Sequence, residues 1–369
     1  MTRIALLFLG GSILLLGACK KDDDQPVCSD CDLTHIPFNP QSYLVSIPVD
    51  FPQLEIPADN PLTIEGIALG RRLFYDTRLS ADSTMSCASC HLSTFGFSDG
   101  KATSIGVDGM PGKRSSMSLL NIGYVTSGLF WDGRAATLEE QALAPVEDPV
   151  ELHESWGNVI QKLQRDPNYP KWFREAFGIK DKREITKELA AKAMAQFERT
   201  MVSGDSRYDA VFIRGEGFPT ESELRGFEMY FDFGQPILPD AECAHCHGSI
   251  LMTTNSYFNN AIDSVGLLTE FKDRGRGIVT GKYLDNGKFR APSLRNIAMT
   301  APYMHDGRFA TLEEVIEHYN SGGHIAENYD SNMHPLGLTA SQKVDLINFL
   351  HTLTDTSFVQ NPAFHDPWK

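Results

Sequence analysis

The chain has 369 residues, of which 41% are hydrophobic and 22% are charged, the balance of a soluble globular protein. This length is enough for two or three domains. The formal net charge of −15 argues against nucleic acid and anionic membrane surfaces as partners, although it permits electrostatic steering of a basic protein.

The first 18 residues are predicted to be a targeting segment. Arg3 precedes an apolar run, residues 4–16, that is too short to span a membrane comfortably. Residues 16–19 (LGAC) resemble the lipobox of bacterial lipoproteins, in which the cysteine, here Cys19, is acylated and becomes the mature N-terminus. Several acyl chains on one cysteine give stable anchoring. We therefore expect a lipoprotein on the periplasmic side of a bacterial membrane, held by its lipid alone; an ordinary secretory signal is the alternative.

Residues 19–62 are predicted to be a tether followed by an extended arm. Residues 20–24 (KKDDD) are typical of a solvated tether, and they also resemble a surface-export signal of some Gram-negative lipoproteins. Residues 25–62 are rich in proline and have no helical period, which predicts irregular structure. Within them Cys28 and Cys31 are spaced as C-x-x-C without a following histidine, so we expect a local disulfide in an oxidising compartment.

Two C-x-x-C-H motifs follow, residues 87–91 (CASCH) and residues 243–247 (CAHCH). The spacing is that of c-type haem attachment, in which two thiols form thioethers to one porphyrin and the histidine ligates its iron. One such motif could be a disulfide or half of a zinc site, but two in one exported chain favour haem. We therefore expect two covalently bound haem c groups. The predicted attachment residues are Cys87, Cys90 and His91 in the first motif and Cys243, Cys246 and His247 in the second.

The segments around the two motifs recur in the same order. The S-L-x-N-I sequence of residues 118–122 returns at 293–297, and residues 131–140 return at 305–314 with changes only at the first and fifth places. A repeat of whole functional units is strong evidence for two similar modules. Local sequence signals, apolar stripes at helical spacing or capping boxes, also predict helices. We expect helices over residues 63–74, 155–165 and 186–201, two that begin at residues 137 and 339, and one just before the second motif.

The chain resembles the bacterial di-haem cytochrome c peroxidases, whose superfamily includes the maturation enzyme MauG. The resemblance rests on both C-x-x-C-H motifs, on the F-W-D-G-R of residues 130–134 and on the T-A-P-Y-M-H-D-G-R of residues 300–308. The resemblance implies an all-α fold of two cytochrome-c-like haem domains related by internal duplication, with an irregular N-terminal arm. The predicted boundaries are a signal peptide at 1–18, tether and arm at 19–62, an N-terminal peroxidatic haem domain at 63–214, a C-terminal electron-transfer haem domain at 215–357 and a tail at 358–369.

The resemblance also implies three catalytic residues. Trp131 matches a tryptophan between the two haems, and Gln141 and Glu151 match a glutamine and a glutamate of the peroxide pocket. A buried carboxylate can move a proton between the two peroxide oxygens, while an amide orients the peroxide. From the residues alone, Trp131 could be a core aromatic, and Gln141 and Glu151 could lie on a helix surface.

A calcium ion between the domains is a further implication. The carbonyl groups of Thr300 and Pro302 match its ligands, and His305 matches a histidine of the inter-haem region. The family's asparagine ligand falls at Ser115, a weaker ligand for a hard cation, so calcium remains an open alternative.

Two positions depart from the usual peroxidase pattern. Many members carry a histidine after the first motif that blocks the peroxide haem until the other haem is reduced, but residues 92–112 contain none and the matching place is Val107. We therefore expect a first haem that is open when fully oxidised.

The second departure concerns the second haem, whose usual methionine ligand is replaced by Tyr319, as in MauG. Tyr319 shares an apolar helix face, and a phenolate would favour ferric iron. The alternative is that Met304, Met333 or His334 ligates instead.

The leading interpretation is a cytochrome-c peroxidase that reduces hydrogen peroxide to water. Its electrons would come from a small redox protein, such as a c-type cytochrome or a cupredoxin, and would pass through the C-terminal haem to the N-terminal haem. One alternative is a MauG-like oxidase of a protein or organic substrate. Another is a non-enzymatic electron carrier, which Glu151 argues against because a carrier needs no proton-handling group. The family's dimers suggest a homodimer.

Overall fold

The computed structural model describes residues 30–234 and 237–369. The predicted signal peptide, Cys19, the charged tether and Cys28 lie outside the described residues. The described chain is mostly helical, as the sequence predicts, with one two-stranded antiparallel sheet. The helices are α1 Ile64–Phe74, α2 Leu138–Glu147, α3 Trp156–Arg165, α4 Tyr169–Phe177, α5 Lys187–Glu198, α6 Glu221–Phe231, α7 Cys243–His247, α8 Arg276–Thr280, α9 Leu312–Ser321 and α10 Ala340–Thr352. The strands are β1 Tyr257–Phe258 and β2 Phe289–Arg290.

The first half is built around the crossing of α1 and α5. Thr63 caps α1 by accepting a hydrogen bond from the Gly66 backbone N–H, which confirms the predicted start of this helix. At Gly70 a Cβ atom would lie 1.9 Å from the carbonyl oxygen of Ala193, so only glycine allows this close approach. The two helices bury a shared apolar core with α2, α3 and α4. The first C-x-x-C-H motif follows α1 and lies against this core.

The second half has its own apolar core, with another pair of crossing helices. Helix α6 precedes the second motif and crosses α10, and a Cβ atom at Gly226 would lie 2.1 Å from the Asp345 carbonyl oxygen. The capping box of Thr339 and Gln342 starts α10 as predicted. Each half therefore places its haem motif after a helix that is held tightly by a later helix.

The N-terminal arm has no helix within the described residues, as predicted. Its Phe51 packs edge-on against Tyr124 of the first half, with ring centroids 5.7 Å apart, and under the guanidinium of Arg295 from the second half at 4.6 Å. Cys31 is disulfide-bonded. The arm thus contacts both halves.

The C-terminal tail returns to the first half. Phe364 packs against Phe97 with ring centroids 6.2 Å apart, and its carbonyl oxygen accepts a hydrogen bond from the Tyr75 hydroxyl. None of the helices in the described part of the chain is both long enough and apolar enough to span a bilayer.

Candidate haem and peroxide sites

A large, mostly apolar cavity opens beside the second C-x-x-C-H motif. Cys243, Cys246 and His247 lie on one side of it, on the short helix α7. Burial raises the pKa of each of the two thiols to about 12, so both are neutral before any bond is made. Other lining residues come from α9, from the β2 segment and from the F-W-D-G-R segment of the first half.

Both motif histidines are held in the orientation that iron ligation needs. Nδ1 of His91 lies 2.8 Å from the Phe97 carbonyl oxygen, and Nδ1 of His247 lies 2.9 Å from the Pro292 carbonyl oxygen. Such a bond fixes Nδ1 as the donor and leaves Nε2 free to bind a metal. Burial lowers the pKa of both rings, to about 4 for His247, which keeps them in the neutral ligating form.

Arg290 supplies a test of whether the cavity fits a haem. Its side chain is 3% exposed, its Nε atom has no hydrogen-bond partner, and no carboxylate of the described residues pairs with it. Burial lowers the pKa of Arg290 to about 10, yet it stays cationic at neutral pH. A buried unpaired cation costs several kcal/mol, so this site needs an anion. Because Arg290 lines the cavity and haem c carries two carboxylates, the cavity fits a haem, one of whose propionates Arg290 would hold.

The first motif lies close to Glu151. Burial raises the pKa of both the Cys87 and Cys90 thiols, and the charge of Glu151 adds to this rise at each of them. Glu151 itself follows α2 in a tight turn, and its backbone N–H donates to the Asp148 carbonyl at 3.0 Å. The structure therefore brings together the two thiols and the carboxyl that the sequence assigned to one peroxide site.

The environment of Glu151 suits a group that exchanges protons. Burial raises the pKa of Glu151 to about 7, the charge of Asp148 adds to the rise, and the guanidinium of Arg134 partly offsets it. A carboxyl that titrates near neutral pH can both accept and return a proton during turnover. Arg134 belongs to the F-W-D-G-R segment, so this segment contributes to the electrostatics of the first site.

Gln141 and Val107 lie on segments next to that of Glu151. Gln141 is half-buried on α2, the helix that precedes the turn of Glu151 in the chain. The backbone N–H of Val107 donates to the Glu151 carbonyl at 2.8 Å. The loop of Val107 is thus hydrogen-bonded to the segment of Glu151, and at this position it carries an aliphatic side chain.

Trp131 links the first half to the second-haem cavity. It lines this cavity, and its indole Nε1–H donates to the Ser115 carbonyl at 2.9 Å. Its own carbonyl accepts a hydrogen bond from the Arg290 backbone N–H at 2.8 Å. Ser116, next in the chain to Ser115, donates its hydroxyl to the Cys90 carbonyl at 2.7 Å. A short series of contacts therefore runs from the first motif through Trp131 to the second cavity, and the inter-haem role of this tryptophan stays a prediction.

Tyr319 faces the cavity of the second haem. Burial raises the pKa of its phenol to about 12, so the phenol is protonated unless a nearby metal charge replaces its proton. Met304 and Met333 line the same cavity and remain the alternative ligands. His334 instead is half-exposed, and its Nε2 atom lies 3.3 Å from a carboxylate oxygen of Glu242.

The residues of the predicted calcium site also meet at the second cavity. Thr300, Pro302, Ser115 and His305 all line it. The Ser115 hydroxyl donates to the Met304 carbonyl at 2.9 Å, and the His305 ring stacks on Phe289 with centroids 3.7 Å apart. Calcium binding here stays a prediction.

Sequence analysis did not identify Arg290 or Glu198. Glu198 is 5% exposed on α5, its Oε2 atom has no hydrogen-bond partner, and burial raises its pKa to about 8. Glu198 lies next to the apolar stripe that predicts α5, and Arg290 lies three residues before the repeated S-L-x-N-I sequence. Neither place in the sequence shows that the side chain is buried. A charged residue next to a repeated motif was the only available signal.

Comparison with known proteins agrees with this geometry. A family model described as di-haem cytochrome c peroxidase matches residues 64–217. The methylamine utilization protein MauG of Methylorubrum extorquens is 35% identical over 297 residues, 80% of each chain. Cytochrome c551 peroxidase of Nitrosomonas europaea is 32% identical over 306 residues, 81% of this chain and 83% of that protein. Among solved structures, a MauG-like protein associated with microbial copper homeostasis matches with a TM-score of 0.81 at 38% identity, covering 89% of this chain and 100% of the other. The chain thus belongs to the family of di-haem cytochrome c peroxidases and MauG.

Proposed function

We propose that this chain is a peroxidase that reduces hydrogen peroxide to water at the first haem site, with electrons from a small redox protein that enter at the second. The observation that carries this proposal is Glu151, a half-buried carboxyl near the first attachment cysteines, where burial and the charge of Asp148 raise its pKa to about 7. A haem bound at residues 87–91 supplies the iron that binds peroxide and the redox chemistry that consumes it.

The residues of the chain handle the protons and the orientation of the substrate. Glu151 would take a proton from one peroxide oxygen and return it to the other, which leaves as water, while two electrons from the redox protein and two protons from solvent reduce the remaining oxygen to a second water. Gln141 orients the peroxide by hydrogen bonding. Val107 leaves the substrate position free, so no preliminary reduction is needed. Trp131 provides an aromatic ring between the two sites that can relay electrons.

Tyr319 favours a second candidate function, the oxidation of a protein or organic substrate in the manner of MauG. A tyrosine that faces the cavity of the second haem would stabilise ferric iron, which disfavours ready acceptance of electrons from a small carrier. The similarity to MauG and to a MauG-like structure supports this candidate.

The two candidates are separated by mixing the fully oxidised, haem-loaded protein with stoichiometric peroxide in a stopped-flow spectrometer and then adding reduced cytochrome c. A fast absorbance change without prior reduction, followed by rapid cytochrome c oxidation, supports the peroxidase. A fast change that decays slowly in the presence of cytochrome c supports the oxidase. If no change occurs until one electron is added, the first site is closed and the role given to Val107 is wrong.

We further propose that Cys19 carries the lipid that holds the enzyme on the periplasmic side of the membrane. This proposal is supported by the LGAC sequence of residues 16–19. Metabolic labelling with a fatty-acid analogue should modify the wild-type protein and not a Cys19→Ser variant. Label on the variant would contradict the assignment.

A further inference from the structure

A cluster of acidic and imidazole side chains lies on the surface next to the second haem motif. Asp240, Glu242 and His245 each offer one ligand atom, and these atoms all lie within 4.8 Å of one another. It is the single group of this kind among the described residues. Glu242 immediately precedes Cys243, and His245 lies between the two attachment cysteines.

Glu242 is the centre of the cluster because it faces two histidines. One carboxylate oxygen lies 3.1 Å from Nδ1 of His245, and the other lies 3.3 Å from Nε2 of His334. Two ligands held about 2.0 Å from one tetrahedral ion lie roughly 3.3 Å apart. The distances from the His245 and His334 nitrogens to the Glu242 oxygens match this spacing. The oxygen facing His245 is shielded from solvent and makes no aligned hydrogen bond, which leaves its lone pairs available.

The charge around Glu242 favours a cation. Neither Asp240 nor Glu242 pairs with an arginine or lysine among the described residues. Burial raises the pKa of Asp240, and the charges of Glu242 and Asp232 add to this rise. Two carboxylates that repel each other, with two imidazoles beside them, form a donor set in which a divalent ion would relieve the repulsion.

The cluster is not needed for haem attachment. In the first motif the three corresponding positions are Thr84, Ser86 and Ser89, none of which carries a carboxylate or an imidazole. The first motif is therefore complete without such a group, and these side chains at the second motif require another explanation.

We propose that Asp240, Glu242 and His245 bind a divalent late transition-metal ion of the Cu²⁺ and Zn²⁺ class, and that His334, which faces the other Glu242 oxygen, turns to complete the ligand set. Imidazole nitrogen favours these metals over calcium and magnesium, and Cu²⁺ binds most tightly in the general order of divalent affinities. His334 lies on the loop that also carries Met333, which lines the second-haem cavity. A bound ion therefore ties this loop to α7 at the edge of the second haem.

The test uses the full, haem-loaded protein after removal of adventitious metal with a chelator. Calorimetric titration with Zn²⁺ should show one saturable equivalent, and Cu²⁺ added to the ferric protein should give an electron paramagnetic resonance signal with nitrogen hyperfine structure. His245→Ser converts the second motif to the sequence of the first, so haem attachment is expected to be normal. This variant should bind Zn²⁺ at least tenfold more weakly, as should Glu242→Gln.

His351→Ser is the matched control because His351 is an exposed histidine outside the cluster, and its affinity for Zn²⁺ should equal that of the wild type. If His245→Ser fails to mature, Glu242→Gln and His334→Ala decide the question. The absence of a saturable equivalent in the wild type, or equal affinity in the wild type and both cluster variants, would show that the side chains form only an ion-pair cluster and would overturn the proposal.

Discussion

Replacing Glu151 by glutamine tests the proton-transfer role most directly. The raised pKa of about 7, against 4.5 for an ordinary glutamate, means that burial and the charge of Asp148 disfavour the carboxylate by roughly 3 kcal/mol. Glutamine keeps the shape and removes the proton exchange. We expect the second-order rate constant for peroxide to fall by about 10²–10⁴-fold in Glu151→Gln, the range for a general acid–base group. Both haem spectra should be unchanged.

The wild-type pH profile provides an independent measurement. The base form of Glu151 is required to accept the proton, so the rate should rise with pH about a midpoint near 7, with roughly one tenth of the plateau at pH 6. Stopped-flow measurement from pH 5 to 9 gives this profile. A midpoint below 5, or a Glu151→Gln variant with the same profile as the wild type, would refute the reasoning.

Four further substitutions test other parts of the structure. Val107→His should slow the peroxide reaction of the oxidised protein at least tenfold and restore it on one-electron reduction; an equal rate would show that position 107 does not face the iron. Tyr319→Phe should change the ferric spectrum of the second haem, and an unchanged spectrum would leave a methionine as the ligand. Arg290→Gln removes a positive charge and should therefore lower the midpoint potential of the second haem by roughly 60 mV, which equals about 1.4 kcal/mol for one electron. A spectroelectrochemical titration measures this potential, and an unchanged value would exclude the propionate pairing. Glu198 has a raised pKa, so the folded protein retains a proton that the unfolded chain has lost. Its contribution to stability falls as pH rises from 4.5 to 8, by about 3 kcal/mol at pH 7. Glu198→Gln should remove this contribution, so the loss of stability between pH 5 and pH 8 in denaturant unfolding should be smaller than in the wild type; an equal loss would contradict the assignment.

The helices and the attachment residues could be predicted because their signals are local. Thr63 and Thr339 cap helices through side-chain bonds to the backbone three residues later, so sequence spacing alone reveals the start of each helix. The C-x-x-C-H spacing is likewise a property of five consecutive residues. Such features do not depend on which distant segments meet.

The electrostatics of the sites depend on distant segments and could not be predicted from spacing. Glu151 acquires its raised pKa from burial and from Asp148, which are consequences of the turn after α2. Arg290 is recognisable as an anion site only when the cavity places it opposite the second motif without a carboxylate. The family resemblance suggested the role of Glu151, but it gave no reason for the pKa.

Contacts between distant segments also connect the two motifs. Trp131 belongs by sequence to the first half, yet it lines the second cavity and its carbonyl accepts from the backbone of Arg290. An anion bound at Arg290 would therefore lie next to the tryptophan, while Ser115 and Ser116 connect that tryptophan to the first motif. Two side chains make these contacts, the Trp131 indole and the Ser116 hydroxyl, and each of them donates to a backbone carbonyl. Trp131→Phe should accordingly slow electron delivery to the first site without altering the initial reaction with peroxide, whereas a defect in the initial reaction would assign Trp131 to the peroxide pocket instead.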